Sequence, residues 1–245
     1  MIGSSILSIS ARGLLGKLVR FPLRMIPPGT VVPILATPAR GKKWIAGSGP
    51  HSCWLGFNEL SKRRAFSARI KPGDVVYDIG ANAGSYTILS AVLVGSSGRV
   101  FAFEPVPENV RYLREHVRLN AFTHVEILEA AVSDLNGTVH FEANPDRVLG
   151  RISPDGLLVV KSVVLDELLK NGELLPPNCL KIDVEGGEAG VLRGAREILK
   201  KIRPVVFVAT HGPEVPRECL ELLDSVRYAV TTIGNAEDEL LALPQ

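Results

Sequence analysis

Chemistry-bearing residues cluster where apolar runs stop. Asp78 closes the run Val75-Val76-Tyr77 and leads into Gly80-Ala81-Asn82-Ala83-Gly84, followed by Ser85 and Tyr86. Gly80 and Gly84 permit a tight turn and close approach of a ligand to backbone, and a helix starting at Ser85 offers free N–H groups. The spacing is GxxxG, not the GxGxxG of dinucleotide folds, and an aspartate directly before the turn suits an ammonium-bearing ligand better than a pyrophosphate. Glu104 follows Val100-Phe101-Ala102-Phe103 and precedes Pro105. An acidic residue about twenty positions beyond a glycine turn can accept both hydroxyls of a ribose. Glu129-Ala130-Ala131 offers a carboxylate and small side chains to a flat ring, although Glu129 equally suits a solvated loop.

The densest stretch is Lys181-Ile182-Asp183-Val184-Glu185-Gly186-Gly187-Glu188. Strand alternation puts Lys181, Asp183 and Glu185 on one side, where they must compensate one another, because an unpaired buried charge costs several kcal/mol. Glu188 falls in the first turn of the next helix, a place the helix dipole favours for an acid. Further on, Val208-Ala209-Thr210 delivers His211 to the same edge, either to take a proton near neutral pH or to pack. Asp183 and His211 are the candidate bases, with Asp183 slightly preferred, and Lys181 would lower the pKa of Asp183 or hold a substrate. Asp183 and Glu185 on one strand are too few ligands for a divalent cation, so no metal is predicted. Glu59, on the helix before this region, either reaches the ligand or compensates its helix N-terminus.

These residues need a scaffold of strand ends. Apolar runs predict strands at 75–77, 100–103, 125–128, 138–141, 158–164, 179–184, 205–209, 228–233 and 240–243. Helices are predicted at 59–70, 85–94, 107–120, 165–169, 187–201 and 216–225. Strands separated by helices imply a largely parallel sheet covered on both faces, with ligands beyond the carboxyl ends of the strands. The short turn between the last two strands predicts an antiparallel edge.

Residues 1–58 form a different region, an N-terminal basic amphipathic helix and a small β element ahead of a catalytic domain at 59–245. They hold seven Lys and Arg and no acid, so of the net +2 they carry +7 and the remainder carries −5. Were residues 5–25 helical, Leu7, Leu14, Leu18, Phe21 and Met25 would oppose Lys17, Arg20 and Arg24. Such a helix docks on its own domain, joins a homo-oligomer, lies on an anionic membrane as a peripheral contact, or serves as a targeting presequence. Short strands are expected at 30–35 and 43–46.

Composition narrows the classes. A hydrophobic content of 46% excludes disorder, and the near-neutral charge gives no support for nucleic acid as partner. No stretch is long and apolar enough to span a membrane, since prolines interrupt the uncharged run at 25–39. Arg12 follows the first apolar residues, the reverse of secretory-signal order, and Cys53, Cys179 and Cys219 form no CxxC pair. The expected location is cytoplasmic, with residues 5–25 able to rest on the inner face of the membrane.

With these residues assembled, the chain resembles the FkbM family of S-adenosylmethionine-dependent methyltransferases. The resemblance rests on HSCWLG at 51–56, GDVVYDIGANAGSYT at 73–87, VFAFEP at 100–105 with Asn109, VSD at 132–134, VLD at 164–166 and LKIDVEGGEAGVLRG at 180–194. It implies an α/β class I methyltransferase fold, Rossmann-like, with a mostly parallel sheet and helices on both faces. It also implies S-adenosyl-L-methionine as cofactor and a hydroxyl of a small-molecule or glycan acceptor, from a carbohydrate or natural product. Asp78, Gly80, Asn82 and Gly84 would surround the methionine end, Glu104 would hold the ribose, Glu129 and Ala130 would flank the adenine, and Asp183 would lie near the methyl. Glu59, Ser85, Tyr86 and Pro105 complete the implied cofactor set. Ala209 departs from the pattern, in which many members carry a glutamate ahead of the histidine. The competing classes are a nicotinamide oxidoreductase, which lacks its glycine fingerprint here, and a non-catalytic, membrane-associated assembly module that keeps the cofactor pocket.

Overall fold

Strand register decides where the polar residues of this chain end up. The computed structural model describes residues 23, 25–57, 59–144, 149–211, 215–234 and 236–245. In chain order the elements are β1 (Val31–Pro33), β2 (Lys43–Ile45), α1 (His51–Leu55), α2 (Leu60–Ser67), β3 (Val75–Ile79), α3 (Ser85–Val94), β4 (Arg99–Phe103), α4 (Pro107–Leu119), β5 (Val125–Leu128), β6 (Ala131–Val132) and β7 (Gly137–Asn144). They continue with β8 (Leu149–Ile152), β9 (Leu158–Val163), α5 (Leu165–Lys170), β10 (Cys179–Ile182), α6 (Glu188–Gly194), β11 (Val205–Ala209), α7 (Val215–Ser225), β12 (Tyr228–Ile233) and β13 (Ala236–Pro244).

Seven strands form one sheet in the order β12-β13-β11-β10-β3-β4-β5. The five from β11 to β5 are parallel. β13 runs antiparallel between β11 and β12, which is the antiparallel edge the sequence predicts. β3 is followed by β4 and β5 on one side and by β10 and β11 on the other, so the strand order reverses between β3 and β10, the place where open α/β sheets bind ligands.

Alternation along the strands builds two cores. Tyr77, Ile79, Leu180, Ile182, Val206 and Val208 pack on one face with Leu165, Val191, Leu192 and Leu223 from α5, α6 and α7. Val76, Val100, Cys179 and Phe207 pack on the other with Phe66 of α2 and Ile88 and Leu89 of α3. Ile34, Trp44 and Trp54 join this second core, so the segment around β1 and β2 is built into the same apolar cluster as the sheet. Of the expected helix over 5–25, only Leu23 and Met25 fall among the described residues. No described helix is long and apolar enough to cross a membrane.

Two expectations change. The segments expected as further strands of the main sheet form instead a separate four-stranded sheet, β6-β9-β7-β8, because the described residues from β7 to β9 include no crossover helix and the strands pair antiparallel. The single helix expected over 187–201 is two pieces, α6 and a π turn at Ile198–Ile202. At the end of α6, Gly194 lies so close to the Ser133 carbonyl that a Cβ there would sit 2.1 Å from its oxygen.

Candidate active site

The register places the site. Ile79 lies opposite Phe103 and Ile182, and Ile182 opposite Val208, so Gly80, Glu104 and Asp183 emerge side by side, with His211 just beyond the end of β11. They open into a cavity of about 680 Å³, within the range of about 300–1,000 Å³ common for small-ligand sites. Gly80 is indispensable to the closeness of β3 and the residue after β10. Its φ is +74° and a Cβ would fall 1.8 Å from the Asp183 carbonyl oxygen.

Beneath the cavity lies a buried charge lattice. Lys181 and Asp78 are register partners on adjacent strands, and their Nζ and Oδ1 are 3.1 Å apart. The Thr87 hydroxyl donates to Asp78 Oδ2 at 2.6 Å, and Lys181 donates to the Gly80 carbonyl at 2.8 Å. Asp78 is therefore consumed in holding β3, β10 and α3 together, and it does not line the cavity. Burial by itself would lower the Lys181 ammonium, but Asp78 and Asp183 outweigh it and raise its pKa. Burial pushes the Asp183 carboxyl up, while Lys181, Lys62 and His211 more than offset this and hold it below the usual carboxylate range. Lys62 of α2, also buried, reaches Glu239 at 2.7 Å and Asp183 at 3.7 Å.

Above the lattice stands His211. Its Nδ1 is 2.8 Å from Oε1 of the fully buried Glu188, while Nε2 faces Asp183 at 3.7 Å and Glu185 at 3.8 Å. The hydrogen bond to Glu188, aided by the neighbouring carboxylates, raises the imidazole to about 9 against the pull of burial. Glu188 Oε1 also accepts the Gly186 N–H at 3.1 Å, so this acid of the first turn of α6 both closes the turn and orients the imidazole. With His211, Asp183 and Glu185 bring ligand atoms within 4.8 Å of one another, a larger donor set than the two strand carboxylates expected from sequence.

Glu104 is buried, and its carboxylate accepts the N–H of Asn82 at 2.8 Å, the N–H of Val106 at 2.9 Å and the Asn109 amide at 3.1 Å. A carboxylate has about four acceptor positions, so Glu104 retains capacity for a hydroxyl on its cavity side. Burial raises its pKa, and these three donors oppose the rise.

Of the residues singled out by sequence, Glu59, Gly80, Asn82, Ser85, Tyr86, Glu104, Pro105, Ala130, Lys181, Asp183 and His211 all line this one cavity. Three do not. Asp78 lies below it, Gly84 faces Leu113, and the exposed Glu129 pairs with Arg114 at 2.9 Å. The wall also contains Arg63, Glu239, Trp44 and Ser48, which sequence reasoning passes over. Of the run Lys62-Arg63-Arg64, only Arg64 is exposed. On β8, Gly150 and Ile152 line the cavity, while Arg151 between them pairs with Glu142 of β7 at 3.1 Å.

The sequence profile of the methyltransferase FkbM domain matches residues 78–235, more than half of the chain. The chain belongs to the FkbM methyltransferase family. This FkbM chain is 31% identical over 176 residues to the hexuronic acid methyltransferase AglP of Haloferax volcanii, a match covering 70% of this chain and 71% of that protein. It is 27% identical over 207 residues to the 2-O-methyltransferase NoeI of Sinorhizobium fredii, covering 73% and 83%. Among solved structures, methyltransferase FkbM of Methylobacillus flagellatus shares the fold with a TM-score of 0.54 at 16% identity, covering 80% of this chain and 55% of that one. The FkbM chain thus has the class I methyltransferase fold, is a methyltransferase, and uses S-adenosylmethionine. The residues present fit that cofactor: the buried Glu104 carboxylate could accept a ribose hydroxyl, and Ala130, Ala131, Glu59 and Arg63 line the same cavity.

Proposed function

We propose that this chain methylates a hydroxyl of a sugar, in the class of hexuronic acids or related glycans, with His211 as the proton acceptor. The observation that carries the reading is the Glu188–His211 pair, whose imidazole Nε2 lies 3.7 Å from Asp183 in the wall of a cavity that Glu104 also lines. S-adenosylmethionine, when bound, supplies an electrophilic methyl carbon on a sulfonium. Glu104 would hold the ribose and the turn from Gly80 to Ser85 the methionine end, leaving the Asp183 and His211 side for the acceptor. Alignment of the hydroxyl behind the methyl supplies much of the rate, and the proton must leave as the C–O bond forms.

Asp183 makes the weaker base, since two lysines stabilise its charged form. His211, once neutral, presents Nε2 to the cavity while Glu188 fixes Nδ1, which is the arrangement of an oriented general base. Asp183 would then accept a hydrogen bond from the acceptor and steady the imidazolium. An oxygen acceptor is also supported by the sequence after β10, Asp183-Val184-Glu185-Gly186, which lacks the Pro-Pro-aromatic element that holds amines. The name of AglP, a hexuronic acid methyltransferase, supports a carbohydrate, and that of NoeI, a 2-O-methyltransferase, supports transfer to oxygen.

The test is incubation of the enzyme with S-adenosylmethionine and a panel of uronic acids, hexoses and glycans, with mass analysis for methyl ether formation. A methylated sugar hydroxyl in the wild type and its near-complete loss in His211→Ala are expected. Methylation confined to amines, or full turnover in His211→Ala, would overturn the assignment. The acid-free basic segment over residues 5–25 supports a peripheral contact with anionic membranes. Flotation with anionic vesicles that persists after removal of residues 1–26 would exclude that role.

A further inference from the structure

One buried cation in the cavity wall makes no ion pair among the described residues. Arg63 of α2 is 4% exposed, yet it has no ion-pair partner among the described residues. One of its terminal nitrogens donates to the Ser85 hydroxyl, and its Nε is buried with no acceptor. Its guanidinium carbon stands 4.8 Å from the centre of the Tyr86 ring. A buried cation in this condition costs several kcal/mol unless an anion arrives to meet it.

The neighbourhood is already set for an anion. Ser85, Tyr86 and Thr87 form the first turn of the ten-residue helix α3, whose first intrahelical bond runs from the Ile88 N–H to the Gly84 carbonyl. The N–H groups ahead of Ile88 therefore point out of the helix at its positive end. Arg63, Ser85 and Tyr86 all line the cavity, and Ser85 and Tyr86 directly follow the glycine turn. Glu59, at the N-terminal cap of α2 and four residues before Arg63, lines it as well and adds a carboxylate to the same wall.

A guanidinium with a helix N-terminus takes a carboxylate, and a carboxylate with an ammonium beside it is an α-amino acid. We infer that Arg63 and the first turn of α3 form the site for the α-carboxylate of S-adenosylmethionine, with Glu59 meeting its ammonium. This rests on the cofactor assignment and corrects where the methionine end is held: Asp78, the residue that sequence favours for it, is occupied by Lys181 and Thr87. Arg63 and Glu59 thereby select the intact amino-acid tail.

The test compares S-adenosylmethionine with its decarboxylated analogue, which keeps the sulfonium and the amine, by calorimetric titration of the full-length protein. Wild type should bind the analogue roughly 10- to 100-fold more weakly, the loss expected when charge-assisted hydrogen bonds are removed. In Arg63→Ala and in the milder Arg63→Met, the two ligands should bind within about threefold of each other, and either variant suffices if the other fails to fold. Equal affinities in wild type, or undiminished discrimination in a folded variant, would overturn the inference and leave the cofactor assignment standing. Binding of neither ligand by folded wild type would overturn both. A variant that keeps its discrimination and loses affinity only for an acidic sugar would assign Arg63 to the acceptor and overturn the inference as well.

Discussion

Glu188 illustrates how one acid can serve a helix and a reaction at once. In sequence it is an ordinary first-turn carboxylate, and that role survives in its bond to the Gly186 N–H. Its burial and its 2.8 Å contact with His211 Nδ1 add a second role that no spacing rule reveals, since the two residues are brought together by α6 and the end of β11. The sign of the consequence follows from linkage. His211 titrates at about 9, so in the free enzyme the proposed base is protonated at pH 7 and becomes available as pH rises through that value. The pH dependence of kcat/KM should climb to a plateau above pH 9. Glu188→Gln, which removes the largest cause of the rise, should move the midpoint toward the ordinary histidine value near 6.5 and lower the plateau. An unmoved midpoint in that variant would assign the titration to another group.

At the scale of elements, the strand ends are readable because parallel strands of similar length finish together: one register step beyond Ile79, Phe103 and Ile182 lie Gly80, Glu104 and Asp183. What the residues do there is less readable. Asp78 and Lys181 look like site residues in sequence, and cross-strand pairing joins them into a clamp, with Asp78 beneath the cavity and Lys181 in its wall. Arg63 is hidden for the opposite reason, because the absence of a partner is a property of packing and leaves no mark on a Lys-Arg-Arg run. Two substitutions separate clamp from site. Lys181→Met leaves Asp78 buried without its cation and should destabilise the protein by about 3–5 kcal/mol in denaturant unfolding. Gly80→Ala forces a Cβ against the Asp183 carbonyl at a positive φ and should cost about 1–3 kcal/mol while spreading β3 from β10. A Gly80→Ala protein of wild-type stability and cofactor affinity would mean the two strand ends are not held as closely as this packing requires.

Across the whole molecule, one imidazole ties the segment around β1 and β2 to the glycine turn after β3. His116 of α4 is fully buried, stacks on Trp44 with ring centres 4.1 Å apart, accepts the Ile45 N–H on Nε2 at 2.9 Å, and lies 2.6 Å from the Ala83 carbonyl through Nδ1. Accepting on one nitrogen requires the neutral ring with its proton on Nδ1, donated to Ala83, and burial accordingly lowers the pKa to about 4. The unfolded chain binds a proton at this histidine from about pH 6.5 downward and the folded chain only near 4, so the stability it contributes is complete above pH 6.5 and is lost between those values. The difference is worth about 3 kcal/mol by the bottom of that window. His211 acts in the opposite sense: its raised pKa gives stability that is complete below pH 6.5 and fades as pH rises through about 9. Two histidines thus bound a stability maximum near neutrality from opposite sides, one through the N-terminal packing and one through the active site. His116→Gln should flatten the acid limb of a melting-temperature profile between pH 6.5 and 4 while leaving the alkaline limb intact, and His211→Gln should do the reverse. Because a glutamine side chain cannot reproduce the ring stacked on Trp44, the His116→Gln variant should also start from a lower melting temperature at pH 7, so the slope of each limb, rather than its height, is the quantity that decides. An acid limb as steep in His116→Gln as in wild type would place the acid-sensitive contact in the carboxylate lattice around Lys181 instead.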